Sequence, residues 1–223
     1  MRYEKIKAAR FIDRPNRFIA HVALDGHMET VHVKNTGRCR ELLVPGARVY
    51  LADAGENTAR KTRYDLVAVE KGERLVNMDS QAPNAAALEW LRAGNLFPPG
   101  TELRPELRYG DSRFDVAAFT PELALLEVKG VTLEREGIVL FPDAPTERGV
   151  KHLRELAAFP GESYVLFVVQ MEDVRYFTPN EQTDPAFDAA LRAAHGAGVR
   201  ILAYDCAVTP ESMTLNRPVE VRL

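Results

Sequence analysis

A change of pattern at Pro83-Asn84 constrains the fold of this chain more than any other feature. Before it, no helical period of apolar residues is sustained. Short alternating segments are separated by turn dipeptides instead. Residues 17–24 and 28–33 flank Asp25-Gly26, a pair that reaches positive φ cheaply and closes a hairpin. Pro45-Gly46 opens a segment over 47–52, and Lys71-Gly72 turns 64–70 back onto 73–78. Roughly five strands in so short a stretch make a small closed barrel. An OB-like barrel is expected, with an SH3-like barrel as the alternative.

After the break the signals are mixed. Asn84 is placed to cap a helix over 85–93, with Gly94 as its stop. Strands are expected over 102–109, 113–119, 123–131 and 137–141, then a helix over 146–158. The apolar run 164–170, a strand at 174–177, a helix from Asp184-Pro185 to 194 and a strand over 199–204 complete the pattern. This order implies an α/β domain whose mixed sheet is flanked by helices on both faces. The chain is therefore read as two domains, 1–80 and 81–223.

Composition excludes several classes. Of 223 residues, 46% are apolar and 27% charged, which suits a packed core and argues against disorder. The longest apolar run, 165–169, falls far below the roughly 20 residues that span a bilayer, so no membrane partner is expected. The first residues have no apolar core and no cleavage signal. Cys39 and Cys206 lie far apart and fit free thiols in a reducing cytoplasm. Net charge is −3, but it is unevenly spread: residues 1–79 carry +4 and residues 80–223 carry −7. A basic front and an acidic back suggest different partners.

The segment from Arg113 to Lys129 carries the most chemistry. Thr120-Pro121-Glu122 reads as a hairpin loop, and setting Phe119 opposite Leu123 places Asp115 opposite Glu127. Lys129 then shares a face with Glu127, and Arg113 with Asp115. Both faces near the turn are apolar, so the strands are buried on two sides. Adjacent carboxylates in such a place repel and are costly to desolvate, a cost that a divalent cation such as Mg²⁺ or Mn²⁺ relieves. A lysine two residues on could hold an attacking water or screen charge on a phosphate. The alternative is that Lys129 and Arg113 neutralise the acids as cross-strand ion pairs.

HVKNTGRCRELLVPGARVYL, RKTRYDL, SRFDVAAF, EVKGVTLE and FPDAPTERGVKHLREL resemble the sugar fermentation stimulation protein A (SfsA) family along nearly the whole chain. The resemblance implies an OB-like N-terminal domain and a C-terminal domain akin to PD-(D/E)xK nucleases. In that type, an Asp on one strand and Glu-x-Lys on the next bind metal and assist phosphodiester hydrolysis. Carried over, Asp115 and Glu127 are metal ligands, the Val128 carbonyl is a third, and Lys129 is the catalytic lysine. Many such nucleases add an acid on the first core helix, where Glu89 is the only candidate. The family is also described as DNA-binding and as influencing maltose metabolism, which leaves a non-catalytic DNA-binding regulator as the alternative.

Two further stretches bear on nucleic acid, DNA foremost, as partner. In residues 141–152, Pro145 fits a first helical turn with Asp143 or Ala144 as cap, and Arg148 and Lys151 project from one side. They form either a phosphate-facing wall or a solvated face. In the front domain, Lys34, Arg38 and Arg40 and then Arg60, Lys61 and Arg63 lie outside the strand cores. Barrels of this class bind strands through such charges plus stacking aromatics, for which Phe11, Phe18, Tyr50 and Tyr64 are available. Self-association is not legible. The chain has no GxSxG elbow, no Walker loop and no HExxH, and the glycines after His195 follow a helix, the wrong order for a dinucleotide fingerprint.

Overall fold

The computed structural model describes residues 1–35, 37–55 and 60–223; Thr36, inside the basic 34–40 stretch, lies outside them. The front of the chain forms β1 (Ile6–Asn16), β2 (Ile19–Leu24), β3 (His27–Val33), β4 (Arg48–Asp53), β5 (Tyr64–Lys71) and β6 (Arg74–Asn77). Their order is β3-β2-β1-β4-β5-β6, and a parallel pairing of His32 with Asp65 and Val33 with Leu66 joins β3 to β5. Five strands thus close a barrel of OB type, and β6 extends from it. Alternation drives the closure: Ala20, Val22, Val31, Val33, Val49, Leu51, Leu66 and Val69 all point inward. Asp25 and Gly26 turn β2 into β3 with φ of 51° and 83°.

One barrel strand was absent from the sequence reading. β1 shows only Ala9 and Phe11 fully buried, and its register with β2 shifts twice between Phe11 and Asn16. Bulges of this kind blur the alternation on which a strand is recognised.

The rest comprises α1 (Ala82–Arg92), β7 (Glu102–Tyr109), β8 (Ser112–Thr120), β9 (Glu122–Val131), β10 (Glu134–Arg135), β11 (Ile138–Phe141), α2 (Glu147–Ala158), β12 (Ser163–Val169), β13 (Tyr176–Pro179), α3 (Pro185–Gly196), β14 (Arg200–Thr209) and β15 (Ser212–Pro218). The main sheet runs β15-β14-β12-β9-β8-β7, and β10-β11-β13 form a small second one. β12 pairs in parallel with both β9 and β14, while the outer pairings are antiparallel. Every residue of β12, SYVLFVV, is buried, as a central strand covered on both faces requires. α1 packs on one face with Val116, Leu126, Leu166 and Val168. Residues of α2 and α3, including Leu153 and Phe187, pack with Val165 and Phe167 on the other.

Helix ends departed from expectation in two places. Asn84 is not a cap: α1 starts earlier, with Gln81 at the N-cap and a proline in the first turn. The cap of α2 is neither Asp143 nor Ala144 but Thr146, whose Oγ1 accepts the Gly149 N–H at 3.0 Å. Asp184 caps α3 as expected, accepting the Phe187 N–H at 2.9 Å. The expected closing strand also continues to Thr209 and turns into an unforeseen edge strand, β15.

Barrel and sheet are fastened together. The buried Gln170 carboxamide donates to the Asn77 carbonyl, Asn77 Oδ1 and the Asp79 carbonyl at 3.0, 3.0 and 3.1 Å. Glu134, 4% exposed, takes Lys71 Nζ at 2.6 Å and Arg74 Nη1 at 2.8 Å. No helix among the described residues is long and apolar enough to cross a membrane. Cys39 and Cys206 are both buried and free.

Candidate metal centre

The β8–β9 ladder runs from Thr120↔Glu122 to Val116↔Leu126, the register expected from the hairpin, although its tip is the single residue Pro121. It stops one pair short of Asp115 and Glu127. On the β7 side of Asp115, Glu106 has a left-handed φ of 54° between the pairs Pro105↔Val116 and Leu107↔Phe114. Strict alternation fails there: Phe114 and Ala117, three residues apart, enter the same core. Asp115 uses its carboxylate in place of backbone pairing. Oδ2 accepts the Val128 N–H at 2.7 Å, and Oδ1 accepts the Asn84 amide at 2.8 Å. Burial, with the nearby Glu127 charge, pushes the Asp115 carboxyl above its ordinary range.

Glu127 is 3% exposed. Its Oε1 takes Lys129 Nζ at 2.5 Å and His152 Nδ1 at 2.6 Å. Burial alone would raise its carboxyl, but the His152 hydrogen bond and the Lys129 charge outweigh it and hold Glu127 ionised below the ordinary range. The Arg148 Nε–H points at His152 Nε2 at 3.4 Å, so the network assigns the proton of a neutral ring to Nδ1, facing Glu127.

This donor set fits a hard divalent cation. Glu127 Oε2 is buried with no hydrogen-bond partner, which is costly unless something positive approaches it. The hydrogen bonds Leu125 N–H to Glu162 and Gln170 N–H to the Val131 carbonyl turn the odd residues of β9 toward β12. Val128 therefore presents its backbone to the β8 side, beyond the end of the ladder. Among the described residues, no three His, Cys, Asp or Glu side chains gather as a metal cluster. Two carboxylates, one carbonyl and retained waters suit a hard divalent ion better than a soft one.

The other expected residues fall into three groups. Lys129 does pair with Glu127, whereas Arg113 turns outward to Glu106 at 3.2 Å and takes no part. Glu89 binds the Met1 ammonium at 2.5 Å, so α1 contributes an amide, Asn84, where an acid was sought. Arg148 and Lys151 line one open groove of about 570 Å³ beside His152. The basic surface expected on the barrel divides. Lys34 bridges Asp79 at 3.2 Å and Asp65 at 3.6 Å, Arg60 donates to Asp65 at 3.1 Å, and Arg63 pairs with Asp53 at 2.9 Å. Lys61 is exposed, and Arg38 and Arg40 border a separate groove. Phe11 and Tyr64 are core, Tyr50 donates to Glu70 at 2.7 Å, and Phe18 stands 51% exposed.

Asn84 and His152 are the two site residues missing from the sequence reading. The only available signal for His152 was its position one helical turn after Arg148, on the side toward the acids.

Comparison with known proteins matches residues 12–78 to an SfsA N-terminal OB domain and residues 81–212 to a sugar fermentation stimulation protein RE domain. Sugar fermentation stimulation protein homologues of Ruminiclostridium cellulolyticum and Desulfitobacterium hafniense strain Y51 are each 52% identical over 227 residues, spanning all of this chain and 100% and 99% of theirs. The solved structure of Pyrococcus furiosus SfsA in complex with Ca²⁺ superposes with a TM-score of 0.86 at 26% identity, covering 100% of this chain and 98% of that one. Two family models across most of the sequence, half-identical relatives of the same length and the shared architecture lead to one conclusion: the chain belongs to the sugar fermentation stimulation protein family.

Proposed function

We propose that this protein is a divalent-metal-dependent phosphodiesterase acting on nucleic acid, DNA foremost, with residues 1–80 as the binding domain and 81–223 as the hydrolytic one. The observation that carries the reading is the unpartnered, buried Glu127 Oε2 beside an Asp115 carboxyl whose charge is disfavoured. The Ca²⁺ bound by the Pyrococcus furiosus relative adds support. Asp115, Glu127 and the Val128 carbonyl would hold Mg²⁺ or Mn²⁺. When bound, such an ion offsets charge on a phosphoryl oxygen and makes water acidic enough to attack near neutral pH.

The chain's own residues supply the rest. His152 fixes the orientation of Glu127, leaving Oε2 free. Lys129, held against Oε1, places its ammonium beside the acids, where it counters charge that builds on the phosphate. Arg148 and Lys151 offer phosphate contacts along the groove. The buried thiols Cys39 and Cys206 suit work in a reducing cytoplasm.

Calorimetric titration with Mg²⁺ and Mn²⁺, wild type beside Asp115→Asn, tests the metal. Cutting of single- and double-stranded DNA and RNA tests the chemistry. Stoichiometric binding and cleavage, both lost in the variant, are expected. Cleavage surviving Asp115→Asn would remove these acids from the reaction, and ion binding without cleavage would leave a DNA-binding regulator of sugar metabolism.

A further inference from the structure

We propose that the groove between the β1–β2 turn and the loop after β3 is the entry site for a single-stranded nucleic acid, with Arg17, Arg38 and Arg40 taking phosphates and Phe18 stacking a base. The inference rests on the preceding reading only in taking nucleic acid as the partner.

The groove is built around Arg14. Its guanidinium donates to four carbonyls, those of Asn35, Arg17, Gly37 and Arg38, at 2.6, 2.7, 2.9 and 2.9 Å. This fastens the turn to the loop, and it consumes donors without cancelling the charge. Arg17, Arg38 and Arg40 are exposed around the same groove, and none pairs with a carboxylate among the described residues. Asp143 lies against Gly37 but pairs with no arginine of the groove. Arg14, Arg17, Arg38 and Arg40 form no ion pair with a carboxylate among the described residues, and an incoming anion relieves the repulsion among cations gathered in this way. On the same barrel, Lys34, Arg60 and Arg63 are each matched to an acid. The contrast marks this groove, rather than Arg60 and Arg63, as the anion-binding surface.

Phe18 specifies the form of the anion. It stands 51% exposed at the tip of the turn, yet it is held firmly. Asn16 Oδ1 accepts the N–H groups of Phe18 and Ile19 at 2.8 and 3.1 Å, and the Phe18 carbonyl accepts the Val33 N–H at 2.8 Å. The Arg17 guanidinium lies 5.5 Å from the ring centroid. An exposed ring on an anchored backbone beside arginines stacks bases of any sequence, provided they are unpaired. Gly37, on the wall of this groove, also lines the cleft that reaches Gly130, the residue after Lys129. The groove and the cleft thus share one wall residue.

Fluorescence anisotropy on the full chain without divalent ions tests the site, using a labelled oligothymidylate and a duplex of equal length. Wild type is expected to bind the single strand more tightly. Arg17→Ala, Arg38→Ala and Arg40→Ala combined should weaken it by at least about tenfold and flatten its log–log salt dependence by about 2, since each phosphate contact on a single strand contributes about 0.7. Phe18→Ala should weaken it by about fivefold or more and leave the salt slope unchanged. Lys7→Ala, whose charge on the same barrel is already matched by Asp25, should bind as wild type. Circular dichroism confirms folding of these exposed-site variants. If the triple variant binds like wild type, the groove is overturned while the nucleic-acid reading survives. Duplex preference with Phe18→Ala silent overturns the single-strand assignment, and a wild type that binds neither probe overturns both readings.

Discussion

The Asp115 carboxylate accepts the Val128 N–H at 2.7 Å, one residue beyond the last backbone pair between their strands. A side chain thus continues a ladder that the main chain abandons, and it holds two carboxylates of neighbouring strands close enough to repel. Replacing Asp115 with Asn removes that repulsion while keeping the shape. The metal-free protein should lose little stability, with Tm unchanged or slightly raised. Wild type should gain about 2.7 kcal/mol at an ion concentration a hundred times its Kd, and the variant nothing. Differential scanning calorimetry with and without Mg²⁺ measures both.

His152 should matter for stability as well as for the site. It is 3% exposed and hydrogen-bonded to a buried carboxylate, so His152→Ala leaves Glu127 short of a partner. A loss of about 1–3 kcal/mol is expected from removing one hydrogen-bond donor from a buried carboxylate that keeps Lys129. Urea denaturation gives the value; a change under about 1 kcal/mol would mean that water replaces the ring.

Glu134 links the barrel to the sheet and supplies a pH dependence. Burial opposes its charge, but Lys71, the Gly137 N–H and Arg74 together hold its carboxyl below 4.5, the ordinary value. A depressed folded-state pKa means that the unfolded chain binds the proton first as pH falls. The stabilisation is complete above about pH 4.5 and disappears as pH drops through the lower folded value. Glu134→Gln should therefore be less stable than wild type at neutral pH, and the gap should close below pH 4. Paired denaturation curves across that range check the sign.

Gly130 tolerates no side chain. A Cβ there would lie 2.6 Å from Gln170 Oε1 and 2.7 Å from the Pro83 ring. Gly130→Ala should cost about 1–3 kcal/mol by forcing these neighbours apart. Thermal unfolding of the variant measures it, and an unchanged Tm would show that the Gln170 amide can turn away.

Much of this was legible in the residues. The hairpin register followed from Pro121 and period-two alternation, and it placed Asp115, Glu127 and Lys129 together. The centre of the sheet was equally plain, because β12 is apolar at nearly every position. What stayed hidden depended on tertiary contact. Asn84 has the composition of a cap, and only the packing of α1 on the sheet turns it toward Asp115. His152 has an acid, Glu155, three residues on in its own helix, whereas the partner it takes lies 25 residues earlier. The arginines between 34 and 63 looked alike until the fold gave acids to some and left the rest without. β15 and the bulged β1 escaped because edge and irregular strands carry weak alternation.

The three bonds made by the Gln170 amide act as a weld where a hinge would otherwise stand. The gap between the arginine groove and the acids is accordingly a fixed ruler. A polymer laid across both must bring its own slack, and one that is too stiff to bend will be gripped at one end and never reach the other.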